Sequence, residues 1–286
     1  AADTFHHKSG NCLSYTSMFI ALAREAGLDA RFQIVRVPPN WDSDSGYLIR
    51  YTHVNLVMKG FSYDGSLEKE FSVDFNDVLP ESDYPRYEIS DDRATALFYA
   101  NQSVHHMRAE EVREAFAYLQ KAIDLAPDNA DLWINLGAFY AKQKAYEQSL
   151  ASYETALALD PRNRGAVSGL GRTHEILGNL EEAEFYNDKV RRYRARNPYY
   201  HFAIAQTEYD RARYDAALEA VNRAIDLKFR SGRFHFLKGL AEYKLGDLEG
   251  AQTSFRRADR FGNYRDLKQR YVSGVAQAAL PASLPN

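Results

Sequence analysis

The chain has a single cysteine, Cys12, and its setting is where chemistry would begin. Cys12 follows Gly10 and Asn11 and opens a stretch with helical spacing, Leu13, Met18, Leu22 and Ala26, which Gly27 stops. A thiol at a helix start faces the positive end of the helix dipole, which favours the thiolate. His53 lies in an alternating stretch, 51–58, where Val54, Leu56 and Met58 face one way and His53, Asn55 and Val57 the other. Asp74 ends the next β-rich stretch, 70–75, after a turn at Asp64-Gly65, and can accept a proton from an imidazole. A nucleophile at a helix start, a base on one strand and an orienting carboxylate on the next make a working set for acyl transfer. Taken singly, each residue has a plainer reading. A lone cysteine fills apolar space, a strand histidine is a hydrogen-bonded core residue, and Asp74 before Phe75-Asn76 is a turn residue. The chemical reading rests on the order of the three.

The elements that must hold them follow as a helix and then three strands, with residues 30–37 forming the first strand. This segment resembles the transglutaminase-like superfamily of papain-like folds. The matching stretches are GNCLSYTSMFIALAREAGLDARFQIV, YTHVNLVMKG and FSVDFN, and the residues from Arg24 to Arg31 match the family's usual ending of the first helix. The resemblance implies an α+β domain over residues 1–92, with Cys12 as nucleophile, His53 as general base and acid, and Asp74 as orienter of the imidazole. Family members have helices before the cysteine. Only eleven residues precede it here, so the domain reads as shortened, and an upstream oxyanion donor cannot be placed. The backbone N–H of Cys12 can serve as one such donor.

A second pattern begins near residue 96. Ala115, Ser149, Ala183, Ala217 and Ala251 recur every 34 residues. Ser103, Gly137, Gly171, Ala205 and Gly239 lie twelve before them, and Ala122, Ala156, Val190, Ala224 and Ala258 seven after. Small residues at these points let paired helices touch, while Leu119, Tyr153, Val221 and Phe255 fill the space between. The unit Ala130–Asn163 resembles the tetratricopeptide consensus at Trp133, Leu136, Gly137, Tyr140, Tyr153, Ala156 and Pro161. Five repeats over 96–263 are expected to form an all-α superhelix, followed by a capping helix at 264–279 and a disordered tail at 280–286. The third repeat departs from the pattern, with Asn187 where a large apolar residue belongs and an arginine-rich end from Arg191 to Arg196. The resemblance implies a protein or peptide partner on the concave face, which puts Arg172, Tyr199, Phe202, Tyr209, Arg233, Phe236 and Tyr243 near a groove.

Hydrophobic residues at 45% and charged residues at 26% suit a soluble globular protein. No apolar run approaches the roughly 18 residues that span a bilayer. The N-terminus lacks the cationic start and apolar centre of a signal peptide, so the compartment stays open: cytoplasmic, or periplasmic after removal of a leader. One cysteine excludes an internal disulfide. His6-His7 has no cluster of further ligands, so neither metal nor cofactor is expected, and His105-His106 reads as packing or surface. Charge is uneven: 1–95 carries 9 basic against 15 acidic residues, 96–188 carries 8 against 14, and 189–270 carries 19 against 10. That basic stretch suggests an acidic partner, contact between the halves of the chain, or only solvated helix faces. It shows no nucleic-acid-binding signature, and the pI near 6.3 argues against that class. Two functions remain. One is a cysteine-dependent acyl-transfer enzyme, a peptidase/amidase or a transglutaminase, with a repeat scaffold that recruits its substrate. The other is a non-catalytic binding scaffold with a degenerate papain-like domain.

Overall fold

The computed structural model describes residues 12–35, 40–41, 48–49, 53–60, 69–74 and 85–262. The expected capping helix and tail, and the pair His6-His7, lie outside these residues. Among those described, the order is α1 (Cys12–Glu25), β1 (Asp29–Val35), β2 (Asn40–Trp41), β3 (Leu48–Ile49), β4 (His53–Gly60), β5 (Lys69–Val73) and β6 (Arg86–Ile89). Ten helices follow in five pairs: α2 (Asp91–Arg108) with α3 (Val112–Leu125), α4 (Ala130–Lys142) with α5 (Tyr146–Leu159), and α6 (Arg164–Leu177) with α7 (Leu180–Ala195). The last pairs are α8 (Pro198–Asp210) with α9 (Tyr214–Leu227) and α10 (Gly232–Lys244) with α11 (Leu248–Phe261). The described residues form two compact units. One holds α1, β1, β4–β6 and the helices as far as Arg192; the other holds β2, β3 and the chain from Tyr193.

In the first unit the strands form an antiparallel sheet in the order β5-β4-β1-β6. The expected alternation decides its faces. Ala30, Phe32, Ile34, Val54 and Leu56 pack with Leu13 and Ile20 of α1, so this face carries the core. Helix α1 ends where Gly27 takes a positive φ of 79° that a side chain would resist. β6 and the short β2–β3 pair were not legible, because neither stretch is long enough to show alternation. The expected boundary at 92–96 falls inside α2, whose Ala94 and Leu97 pack with the sheet core. Arg24 ties the two ends of this contact, bonding to the carbonyl of Ala30 and, through both terminal nitrogens, to Asp91 at 2.6 and 3.0 Å. The guanidinium holds the Asp91 carboxyl below its usual range.

The repeat spacing works as expected. Ala115, Ser149, Ala183, Ala217 and Ala251 are all buried, and so are Ala122, Ala156, Ala224 and Ala258. Val190 in the third repeat stays half-exposed. The tightest approach surrounds Tyr153 of α5. A Cβ on Gly137 would come within 2.6 Å of its ring, and one on Gly169 within 2.4 Å. The Tyr153 ring therefore fits only because α4 and α6 present hydrogen atoms there. In the third repeat the corresponding site holds Asn187, whose Oδ1 would lie 2.6 Å from a Cβ on Gly171.

One repeat position shows how different side chains can do the same work. Trp133 Nε1 donates to the carbonyl of Pro127 at 2.8 Å, six residues earlier. At the equivalent positions of the last two repeats, His201 Nε2 donates to Ala195 O at 3.1 Å and His235 Nε2 to Phe229 O at 2.8 Å. Indole and imidazole both tie the start of the first helix to the backbone six residues earlier. His235 is fully buried, and burial pushes its imidazole below the usual histidine range. Arg257 and Lys238 add to this, against the backbone bond, which opposes it.

Two outcomes test this packing. Gly169→Ala should destabilise the chain by about 1–3 kcal/mol in urea unfolding, because the Tyr153 ring has nowhere to retreat. Stability carried by neutral His235 is present above its unfolded value of about 6.5 and lost as pH falls toward its lower folded value. His235→Gln should therefore flatten the dependence of unfolding free energy on pH below about 6.5.

Candidate functional site

The site is assembled from strand register. β4 pairs with β5 so that Leu56 faces Val73 and Val57 faces Ser72. Since Val54 and Leu56 turn toward α1, His53 and Asn55 turn to the other face of the sheet. Asp74, one residue past β5, continues the register on that same face. His53 Nε2 and Asp74 Oδ2 lie 2.5 Å apart, and the two side chains are only 7% and 8% exposed. With the carboxylate accepting from Nε2–H, the other ring nitrogen, Nδ1, is the basic one.

Cys12 is the first residue of α1 and is half-buried. Helix α1 lays Leu13, Thr16 and Ile20 against the sheet, and fully buried Thr16 donates to the carbonyl of Val54 at 3.2 Å. Thr16 lies one helical turn beyond Cys12, and Val54 follows His53. This bond brings the thiol end of α1 to the imidazole end of β4. Among the described residues no hydrogen bond joins Cys12 to His53. The directly bonded pair is His53–Asp74. Thr16 is not among the residues the sequence singles out, although its position four residues after Cys12, on the same helical face, is the available signal.

The expected peptide groove is partly corrected. Phe202 is 6% exposed and Phe236 fully buried, in a core with Phe234 and Phe255, so neither faces a ligand. The Phe202 and Phe234 rings lie 4.9 Å apart, tilted, and Phe236 meets Phe255 at 5.6 Å. Tyr199 is half-buried, its hydroxyl accepting from Lys228 Nζ at 2.7 Å with the Arg233 guanidinium 5.9 Å from its ring. Tyr209 packs beside that core and against Tyr214, Tyr243 is 37% exposed, and Arg172 of α6 is exposed. β2 packs against α8, so part of the first-helix surface of the fourth repeat is met by the chain itself.

Part of the basic stretch is answered from within. Arg191 pairs with Glu184 at 2.7 Å and Asp188 at 3.1 Å, Arg192 with Asp188 at 2.7 Å, Arg213 with Glu208 at 2.6 Å and Arg223 with Glu219 at 2.7 Å. Exposed pairs of this kind add little stability, yet they lower the field available to an acidic partner. His106 of α2 bonds to Glu111 and stacks on Tyr118 at 5.1 Å, a packing role. Among the described residues no group of three or more His, Cys, Asp or Glu could hold a metal ion, and no helix is long and apolar enough to cross a membrane.

Comparison with known proteins agrees with the two-part architecture. Residues 1–65 match the transglutaminase-like superfamily, 130–163 the tetratricopeptide repeat, and 177–258 anaphase-promoting complex, cyclosome, subunit 3. A TPR repeat-containing protein of Methanocaldococcus jannaschii is 28% identical over 193 residues, covering 62% of this chain and 32% of the relative. The Hsp70-Hsp90 organizing protein of Triticum aestivum is 34% identical over 77 residues, covering 27% of this chain and 13% of the relative. The chain thus spans a third or less of the length of these curated relatives. A solved structure of MamA from Desulfovibrio magneticus RS-1 aligns with 62% of this chain and 98% of its own, at 18% identity and a TM-score of 0.34.

A double-mutant cycle tests the pair. His53→Ala and Asp74→Ala should couple by about 1.5–3 kcal/mol in unfolding free energy, the range for a hydrogen bond to a charged group. Coupling near zero would mean that the two side chains do not meet in solution.

Proposed function

We propose that this chain, which joins a transglutaminase-like segment to tetratricopeptide repeats, is a cysteine-dependent acyl-transfer enzyme whose repeats recruit a protein partner or substrate. The observation that supports it most is the buried His53–Asp74 pair on adjacent strands, at the end of the sheet to which α1 brings Cys12. In this reading the Cys12 sulfur attacks an amide carbonyl while the backbone N–H of Cys12 helps to hold the developing oxyanion. The C–N bond breaks, His53 delivers a proton to the departing amine, and a thioester remains. Water or a second amine then releases the acyl group through the same imidazole. Hydrolysis is favoured, because it needs no second binding site. Asp74 keeps the ring oriented and stabilises the imidazolium. Partner binding falls to the repeats, where Tyr199, Arg233 and Tyr243 remain candidates once Phe202 and Phe236 are set aside as core.

A second reading has its own support. No hydrogen bond joins Cys12 and His53 among the described residues, and the curated relatives named above match as tetratricopeptide-repeat proteins. A scaffold with a non-catalytic papain-like domain accounts for both.

Alkylation separates the two. Iodoacetamide should trap Cys12 at pH 6 much faster than it traps a free cysteine, and His53→Ala should slow that rate about tenfold or more. A wild-type rate matching a free thiol, unchanged in His53→Ala, would favour the scaffold.

A further inference from the structure

The face of the sheet turned away from α1 holds more polar atoms than the His53–Asp74 bond uses. The β1–β4 register sets Gln33 opposite Asn55. Continuing the β4–β5 register one step past Leu56–Val73 sets Asp74 opposite Asn55 on its other side. Directly opposed residues on one face bring their Cβ atoms within about 5 Å. Gln33 is 5% exposed, Asn55 2% and His53 6%, so the row is closed to bulk solvent.

Among the described residues, His53 Nε2–H donates a hydrogen bond to Asp74 Oδ2, and Ser72 Oγ donates to Gln33 Oε1 at 3.5 Å. Asn55 Oδ1 is buried with no hydrogen-bond partner. A buried amide oxygen left without a donor is costly, and groups of this kind are what hold internal waters in proteins. Across the strand pair stands another acceptor, the Asp74 carboxylate. A small molecule with two O–H donors can satisfy Asn55 Oδ1 with one and bond to the carboxylate with the other.

We propose that Asn55 is a positioning residue for Asp74, acting through a water molecule that donates one hydrogen bond to Asn55 Oδ1 and the other to the Asp74 carboxylate. The bridge helps to keep the carboxylate turned toward His53 Nε2. Nε2 then keeps its proton and Nδ1 its lone pair, so residue 55 helps to set the tautomer of the ring. The catalytic meaning of this role rests on the acyl-transfer reading. The role itself belongs to the imidazole and is read there.

The test uses the full chain labelled with 15N-histidine, with long-range 1H–15N correlations reporting which nitrogen of His53 carries the proton. The wild type should show the Nε2–H form. Asn55→Ala should raise the Nδ1–H form and slow Cys12 alkylation about fivefold, the loss expected for one neutral hydrogen bond. Asn55→Ser, which keeps an acceptor for the water, should restore both. A folded Asn55→Ala with the wild-type pattern and rate overturns the proposal. If the alanine variant does not fold, a crystal structure of the wild type decides. A water within hydrogen-bond distance of both oxygens supports the bridge; a protein donor or an apolar side chain in its place overturns it. Should Cys12 prove unreactive while the His53 pattern still answers to residue 55, the acyl-transfer reading fails and the role of Asn55 stands.

Discussion

Strands β4 and β5 pair in one register, Leu56 against Val73, and the polar face of the sheet depends on it. A slip of one residue would turn His53 into the apolar layer under α1 and carry Val54 out of it. The register is held because Val54 and Leu56 have Leu13 and Ile20 to pack against, and that burial outweighs any gain from slipping. The His53–Asp74 bond is therefore a consequence of hydrophobic pairing on the opposite face. The same layer fixes α1, whose Thr16 reaches the backbone of Val54 and so sets how far along β4 the Cys12 end lies.

The helical repeats obey a different constraint, close approach at small residues. Tyr153 shows its strictness, since its ring lies against two glycines on two neighbouring helices. Where the pattern relaxes, in the third repeat, Asn187 replaces the apolar filler and α7 buries little besides Ala183. Leu180 and Phe185 of the same helix are left 72% and 56% exposed. The division between the two compact units falls within this helix, at its Arg191–Arg196 end.

Side chains that look like binding groups in sequence often have internal duties in repeat proteins. The resemblance to tetratricopeptide repeats puts Phe202 and Phe236 near a groove, yet they complete an aromatic core with Phe234 and Phe255. Arg191 and Arg192 of α7 are likewise engaged by Glu184 and Asp188. His201 and His235 could pass for titratable sites, but both stand where the second repeat has Trp133 and make its bond to the backbone six residues earlier. The chemical identity of a residue shows what it can donate or accept. Its repeat position shows to whom.

Periodicity carried much of the architecture. The 34-residue recurrence of small residues is a local pattern repeated five times, so the helix pairs were legible without coordinates. The helix from Cys12 and the alternating strand containing His53 were legible for the same reason: each spells its own period. The short strands β2, β3 and β6 were not, since two to four residues cannot display alternation. Which of the candidate site residues meet was decided by tertiary structure. The chain order of Cys12, His53 and Asp74 suggested a set. The pairing of β4 with β5 joined two of them, and α1 brought the third to the same end of the sheet. Burial was decided there too, separating core Phe236 from half-exposed Tyr199 and leaving Asn55 Oδ1 without a protein donor. Local sequence sets the periods because they depend on near neighbours. The meeting of distant side chains depends on how whole elements pack, and a linear pattern does not record that.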